Sequence, residues 1–387
     1  MDVAMIRFVD EIGEPLQRAP WGAAPLVVGS VLTLDPSDLL WEVTAIRPSG
    51  PTQDVELRVT DDRTIYIDID RSVATTPPMT RFLTTEDGVR LALHTLGGSG
   101  PPLIVCHATG FHTYAYAPMV RTLAASFSVY GIDFRCHGES ESDGPRKRSW
   151  RDLVRDLRAA VTHIRADADA PTPIYAFGHS MGGAAILATQ LADPGTFHSA
   201  FVYEPVVMPT ALIPASPPGL PGHTRRRQES FRSLAEARDR FSTSGPFASF
   251  RSDALAAYVH HGLRRVEPER HHSLLGSPDA YRLRCAPEDE ATFYEGSEPV
   301  LIDDLEDLEL RLIVAAGEEN DHGPARAASL VAERFGIDFV SFTGLGHLGP
   351  LENPDRVARS LIEELLPTTA LPIGPDSQPG PAPTVST

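Results

Sequence analysis

Gly178-His179-Ser180-Met181-Gly182-Gly183 is the stretch on which the reading of this chain turns. It follows the short apolar run 174–177 and precedes the helical run 184–191, so a serine framed by glycines sits on a strand–turn–helix junction. A turn that tight brings backbones into close approach, which explains glycine at 178 and 182. The serine projects from the turn. The helix behind it points its first N–H groups, beginning with that of Met181, at whatever the hydroxyl attacks. A serine hydroxyl is a weak nucleophile until a base takes its proton. Among fourteen histidines, His347 has the placement for that task. It lies in Gly344-Leu345-Gly346-His347-Leu348-Gly349-Pro350, between the strand expected at 338–342 and the helix expected at 354–366, from where it can swing over the sheet end towards Ser180.

The segments around these two residues set the fold class. From residue 81, short strand runs alternate with helical patterns. Strands are expected at 82–84, 89–96, 103–106, 128–132, 173–177, 200–203, 310–315 and 338–342. Helices are expected at 116–127, 149–166, 181–191, 324–335 and 354–366. Ser149 with Asp152 three residues on marks the start of one helix; Asn353 with Pro354 marks another. Such β–α alternation implies a mostly parallel sheet with helices on both faces. It is interrupted at about 209–298 by an Arg- and His-rich stretch read as several helices covering the ligand end of the sheet. Before it all, residues 1–80 read as a small β-rich domain with strands at 25–34, 40–46, 54–59 and 64–69 and a Pro77-Pro78 linker. The Pro-, Gly-, Ser- and Thr-rich tail 368–387 is expected to be disordered, so the α/β domain spans 81–367.

A third loop carries chemistry. Cys106-His107-Ala108-Thr109-Gly110-Phe111 directly follows the strand at 103–105 and offers backbone N–H groups that would complete an oxyanion hole with Met181. Taken together, 81–366 resembles the α/β-hydrolase superfamily in its esterase, lipase and C–C hydrolase branch. The loop at 105–111 is similar to the H-G-x-x loop. Asp133-Phe134-Arg135-Cys136-His137-Gly138-Glu139-Ser140 is similar to D-x-R-G-H-G-x-S, Gly178–Gly183 to G-H-S-M-G-G, and Gly346-His347 to the histidine motif. Two positions depart: Ala108 and Cys136 stand where glycine is usual. The resemblance implies Thr109 as the second oxyanion donor. It also implies a carboxylate three residues beyond a glycine after the penultimate strand. Here that glycine is Gly317 and the position is Asn320, with Asp321 one residue late and Glu318 and Glu319 nearby. Glu204, at the end of the strand after the nucleophile helix and 204 − 180 = 24 residues from the serine, is the alternative acid to the preferred Asp321.

Composition bounds the rest. The chain has 387 residues, 42% hydrophobic and 22% charged, with a formal charge of −18 that disfavours nucleic acid and anionic membranes. No apolar run is long enough to span a bilayer, and the start lacks a signal-peptide core, so a cytoplasmic address is expected. The three cysteines, 106, 136 and 285, argue against a disulfide framework. Arg225-Arg226-Arg227 reads as a solvated helix face. The pairs His260-His261 and His271-His272 point too far apart to chelate, so no metal and no cofactor are expected. Phe231, Phe241, Phe247 and Phe250 read as lid core or pocket wall rather than anything reactive. The expectation is a serine hydrolase acting through an acyl-enzyme on Ser180, cleaving an ester, thioester or lactone of a small to medium molecule. C–C bond hydrolysis or acyl transfer by the same serine, and a non-hydrolytic ligand-binding or cyclase-like protein, stay open. So does a homo-oligomer with residues 1–80 as its interaction module.

Overall fold

The computed structural model describes residues 79–366 apart from 145, 168–171, 209–218, 244, 267–280, 297–299 and 319–322, together with the course of six strands between 5 and 70. Eight strands form the main sheet. They are β1 (Met79–Thr84), β2 (Arg90–Gly97), β3 (Pro102–Cys106), β4 (Ser128–Asp133), β5 (Tyr175–His179), β6 (Ser199–Tyr203), β7 (Arg311–Gly317) and β8 (Asp338–Phe342). Their order across the sheet is β8-β7-β6-β5-β3-β4-β2-β1. The hairpin β1–β2 and the β2–β4 pair are antiparallel, and every other pairing is parallel. The central strands β3, β5 and β6 are buried along their whole length, as strands covered on both faces must be.

Alternation along each strand sorts its side chains to opposite faces. Leu103, Val105, Phe177 and Phe201 pack with α1 (Ala117–Leu123) and α9 (Pro354–Leu365). Ile104, Ala176, Ala200 and Val202 pack with α2 (Trp150–Ala166), α3 (Met181–Ala192) and α8 (Gly323–Phe335). Phe177 and Phe201 are fully buried, so truncating either to alanine would cost about 3–5 kcal/mol. The helix starts follow the sequence signals. Ser149 and Asp152 form a capping box on α2, and Asn353 accepts from Arg356 N at 3.2 Å ahead of Pro354. The helix expected at 116–127 is shorter: a 3-10 turn, Thr113–Tyr116, leads into α1, which ends at Leu123.

Between β6 and β7 the chain makes the expected excursion. It leaves and returns through a bridge of Met208 to Leu301, where Met208 N bonds Val300 O and Ile302 N bonds Met208 O, both at 2.9 Å. The excursion contains α4 (Leu220–Arg225), α5 (Leu234–Ser242), α6 (Ser252–Gly262) and α7 (Pro287–Tyr294). The sequence pattern predicted helices alone here, and the structure corrects that. Ser230–Phe231, Leu263–Arg265 and Tyr281–Leu283 make a small antiparallel sheet, because Phe231, Leu263 and Leu283 alternate with polar neighbours and bury against the lid's own core.

Before residue 79, strands Met5–Val9, Pro15–Pro20, Val31–Leu34, Leu39–Ser49, Thr52–Val59 and Thr64–Asp70 pair antiparallel in a sheet of their own. That is two strands more than the sequence pattern suggested. The expected tail at 368–387 lies outside the described residues.

Candidate functional site

The elbow is one of three places among the described residues where a non-glycine residue holds positive φ. Ser180 adopts φ 54°, ψ −113°, a conformation that non-glycine residues rarely hold and that costs on the order of 1–3 kcal/mol. Its surroundings impose it. Ser180 N donates to Tyr203 O at 2.9 Å, and Val206 N donates to Ser180 O at 3.2 Å, so the turn is stitched to the end of β6. A Cβ on Gly182 would lie 2.1 Å from Cys106 O, which keeps α3 against β3. Ser180 is the first flanking residue of α3, yet its side chain caps nothing, so the hydroxyl is not consumed by the helix. The N–H of Met181 is among the first-turn donors that no intrahelical carbonyl can reach.

The end of β6 delivers the carboxylate. Glu204 is fully buried and also has positive φ, 43°. Its Oε1 accepts from Gly317 N at 3.0 Å and its Oε2 lies 2.6 Å from His347 Nδ1. A carboxylate oxygen accepts, so the hydrogen of this bond sits on Nδ1, and Nε2 is the ring nitrogen not engaged by Glu204. The glycine that the sequence pattern used as the marker of an acid on the next strand is the amide donor to Glu204. Asp321, preferred from the sequence, lies outside the described residues, as do Asn320 and Glu319. The Nδ1 of His347 is held by Glu204.

His347 sits in a loop secured from several sides. Gly346 N donates to Glu352 Oε2 at 2.9 Å, Tyr203 OH donates to Gly346 O at 2.7 Å, and His179 Nε2 donates to His347 O at 2.8 Å. The rings of His179 and His347 are 5.1 Å apart. His347 thus lies beside the residue that precedes Ser180, and Glu204 lies between Tyr203 and Val206, the residues bonded to the Ser180 backbone. Sequence reasoning did not single out Tyr203, His179 or Glu352; only His179, inside the G-H-S motif, carried a local signal.

The loop after β3 is held by two neutral histidines. His107 Nε2 accepts from Phe134 N at 3.0 Å, so its Nδ1 donates to Ala108 O at 2.8 Å. His137 Nε2 accepts from Gly110 N at 3.0 Å, so its Nδ1 donates to Arg135 O at 2.9 Å. Burial holds both below the ordinary histidine range, which fixes these tautomers. Ala108 N bonds Tyr116 OH at 3.2 Å, whereas Thr109 N has no protein acceptor among the described residues. Cys136, standing where glycine is usual, takes φ 68° and keeps the turn, with Arg148 Nη2 2.9 Å from its sulfur. Its thiol is pushed up to about 12 and that of Cys106 above its ordinary range, both chiefly by burial, so neither is a nucleophile near neutrality.

The remaining charged motifs have structural partners. Arg135 is buried against Asp156 and Asp87 at 2.6 and 2.9 Å. Arg225 pairs with Glu288 and Glu295, and Arg227 pairs with Glu290. Among the described residues no group of three or more His, Cys, Asp or Glu could hold a metal, and no helix is long and apolar enough to cross a membrane. His271 and His272 lie outside the described residues.

Comparison with known proteins bears on the family and the fold. The chain is 29% identical over 130 residues to monoglyceride lipase of Homo sapiens, covering 33% of this chain and 43% of the lipase. It is 26% identical over 158 residues to protein phosphatase methylesterase 1 of Homo sapiens, covering 40% of each. It therefore spans less than half the length of these curated relatives. The crystal structure of E-2-(acetamidomethylene)succinate hydrolase superposes with a TM-score of 0.61 over 74% of this chain and 99% of that one at 16% identity, a likeness of fold. The model of the alpha/beta hydrolase family matches residues 103–360, and with it the elbow, both flanking loops and the histidine loop. By that match over most of its length, the chain belongs to the alpha/beta hydrolase family.

Proposed function

We propose that the protein is a serine hydrolase that cleaves a carboxylic ester, thioester or lactone of a small to medium organic molecule. Ser180 would be the nucleophile, His347 the general base and Glu204 the acid that orients it. The observation that carries the reading is the pair His347 Nδ1–Glu204 Oε2 at 2.6 Å, anchored on the same strand end that stitches the Ser180 turn. With Nδ1 committed, Nε2 takes the proton from Ser180 Oγ as the oxygen attacks the carbonyl carbon. The N–H groups of Met181 and Thr109 receive the oxyanion. His347 then returns the proton to the leaving oxygen or sulfur, and a water activated by the same ring releases the acyl group. Glu204 stays ionised throughout and stabilises the imidazolium. No step calls on a cofactor.

The substrate class rests on two supports. Phe111, at the end of the loop after β3, packs with Phe247, Phe250 and Tyr258 at ring separations of 6.0, 6.0 and 5.3 Å, so the lid lays its aromatic core against that loop, surroundings that favour an organic acyl group over a charged polymer. The two curated relatives are named as a lipase and a methylesterase.

A fluorophosphonate probe followed by peptide mapping tests the reading. Labelling is expected at Ser180, lost in Ser180→Ala and strongly slowed in His347→Ala. On p-nitrophenyl esters, Glu204→Gln is expected to lower kcat by about 10⁴-fold, the scale for removing the charge behind a catalytic histidine. Asp321→Asn is expected to stay within a few-fold of wild type. A folded wild type that resists the probe would overturn the reading; a large loss confined to Asp321→Asn would transfer the acid role to that residue.

A further inference from the structure

We propose that Tyr116 and His179 form a buried positioning relay that ties the oxyanion loop to the loop bearing His347, keeping donors and base in one register. The inference rests on the reading of Ser180 and His347 given above. The relay is a chain of three hydrogen bonds. Ala108 N lies 3.2 Å from Tyr116 OH, Tyr116 OH 2.7 Å from His179 Nδ1, and His179 Nε2 2.8 Å from His347 O. Tyr116 and His179 are fully buried.

The direction of every bond follows from the two ends. A carbonyl only accepts, so His179 Nε2 bears the hydrogen and Nδ1 accepts. Tyr116 therefore donates its hydroxyl hydrogen to Nδ1, and its oxygen accepts from Ala108 N–H. Burial keeps His179 well below the ordinary histidine range and Tyr116 above the ordinary tyrosine range, so neither changes charge near neutrality. All the dipoles run one way, which strengthens each bond in the chain.

What distinguishes this chain from ordinary core satisfaction is where it ends. One end is the peptide N–H immediately before Thr109. The other is the carbonyl of His347 itself. Both lie in loops outside the sheet ladder, and the linking residue precedes Ser180. Consuming Ala108 N–H fixes the orientation of the next peptide, whose N–H is the one offered to the oxyanion. Holding the His347 carbonyl fixes the backbone from which the imidazole swings.

The test compares Tyr116→Phe, His179→Leu, His179→Gln and the Tyr116→Phe/His179→Leu pair with wild type. The readouts are ester kinetics, Ser180 labelling rate, thermal midpoint and ¹⁵N-histidine NMR. Tyr116→Phe and His179→Leu are each expected to lower kcat by about 10–100-fold with KM within about twofold, the signature of misplaced groups. The double variant should be little worse than either single one, because the residues act as a unit. His179→Gln, which supplies an N–H and a carbonyl, should recover most of the loss. In the NMR spectra, His179 should hold one neutral tautomer from pH 5 to 9 in wild type, and Tyr116→Phe should displace the ring signals of His347. Additive losses, a loss in KM or thermal midpoint with kcat retained, or His347 signals unmoved by Tyr116→Phe would each overturn the relay. If wild-type Ser180 resists the probe, the hydrolase reading fails separately, and the NMR arm decides the relay alone.

Discussion

The turn-and-loop scaffold around Ser180 and the seam beneath the lid are both buried and polar, but they are satisfied to different degrees. In the scaffold, Glu204, His179, His107, His137 and Tyr203 spend their polar atoms on named partners. Along the seam, buried polar atoms of His112, Thr113, Arg227, His260, Arg284, Asp289 and Glu290 lack a hydrogen-bond partner among the described residues. Arg227 and Glu290 approach to 2.6 Å as an ion pair, while Arg227 Nε and Nη2 and Glu290 Oε2 make no well-directed bond. Each buried polar group left unmade costs about 1–3 kcal/mol. The difference teaches where rigidity has been placed. The chemistry sits on a framework whose geometry is over-determined, and the cover above it is held by interactions far from their optimum.

The sharpest way to break this comparison is to strain the scaffold. Gly182→Ala would push a Cβ to 2.1 Å from Cys106 O, and a backbone carbonyl in a buried strand cannot yield cheaply. A loss of about 3 kcal/mol or more is expected, read as a fall in the urea midpoint. A variant as stable as wild type would show that the elbow has slack that the structure denies.

The seam should respond in the opposite way. Arg227→Met alone strands the buried charge of Glu290, and a cost of about 3–5 kcal/mol is expected. Arg227→Met combined with Glu290→Leu removes both charges and should be neutral or stabilising by about 1–4 kcal/mol, because well-packed apolar groups replace a poorly directed pair. A double variant as damaged as the single one would put the seam on the same footing as the scaffold.

The smallest effect tests a pair at the scaffold's own edge. His94 on β2 bonds Asp133 at 2.9 Å in full burial, and Asp133 also accepts from Thr113 N and Glu139 N. Burial pushes His94 down, but the charge of Asp133 outweighs it, and the group ends above its ordinary value of 6.5. A base raised on folding adds stability that is fully present below its unfolded value and lost as pH rises through the folded one. The urea midpoint should therefore fall as pH climbs from about 6.5 into the alkaline range. His94→Gln should flatten that slope; an unchanged slope would assign it to other groups.

Much of the site was legible because its signals are local. The elbow needs glycines two residues either side of a serine and a helix behind it, all within six residues. The caps Ser149 and Asn353 bond within three residues of themselves, so sequence spacing suffices to find them. The carboxylate that meets His347 was not legible in the same way. Glu204 and Asp321 each follow a strand of the sheet, and nothing in their neighbourhoods tells which strand end meets His347. The contact spans 143 residues and exists only once β6, β7 and the histidine loop are assembled.

The sequence by itself determined the fold family, which serine and histidine are the candidates, and the interrupted β–α order, because periodicity and turn chemistry act over a few residues. Only the tertiary structure decided that Glu204 holds His347, that Gly317 serves it with an N–H, that the lid carries a small sheet, and that Tyr116 and His179 join two loops. Those are pairings between distant segments. Their partners are chosen by which side chains the packed layers bring within hydrogen-bond reach, and burial then leaves each polar atom dependent on that one choice.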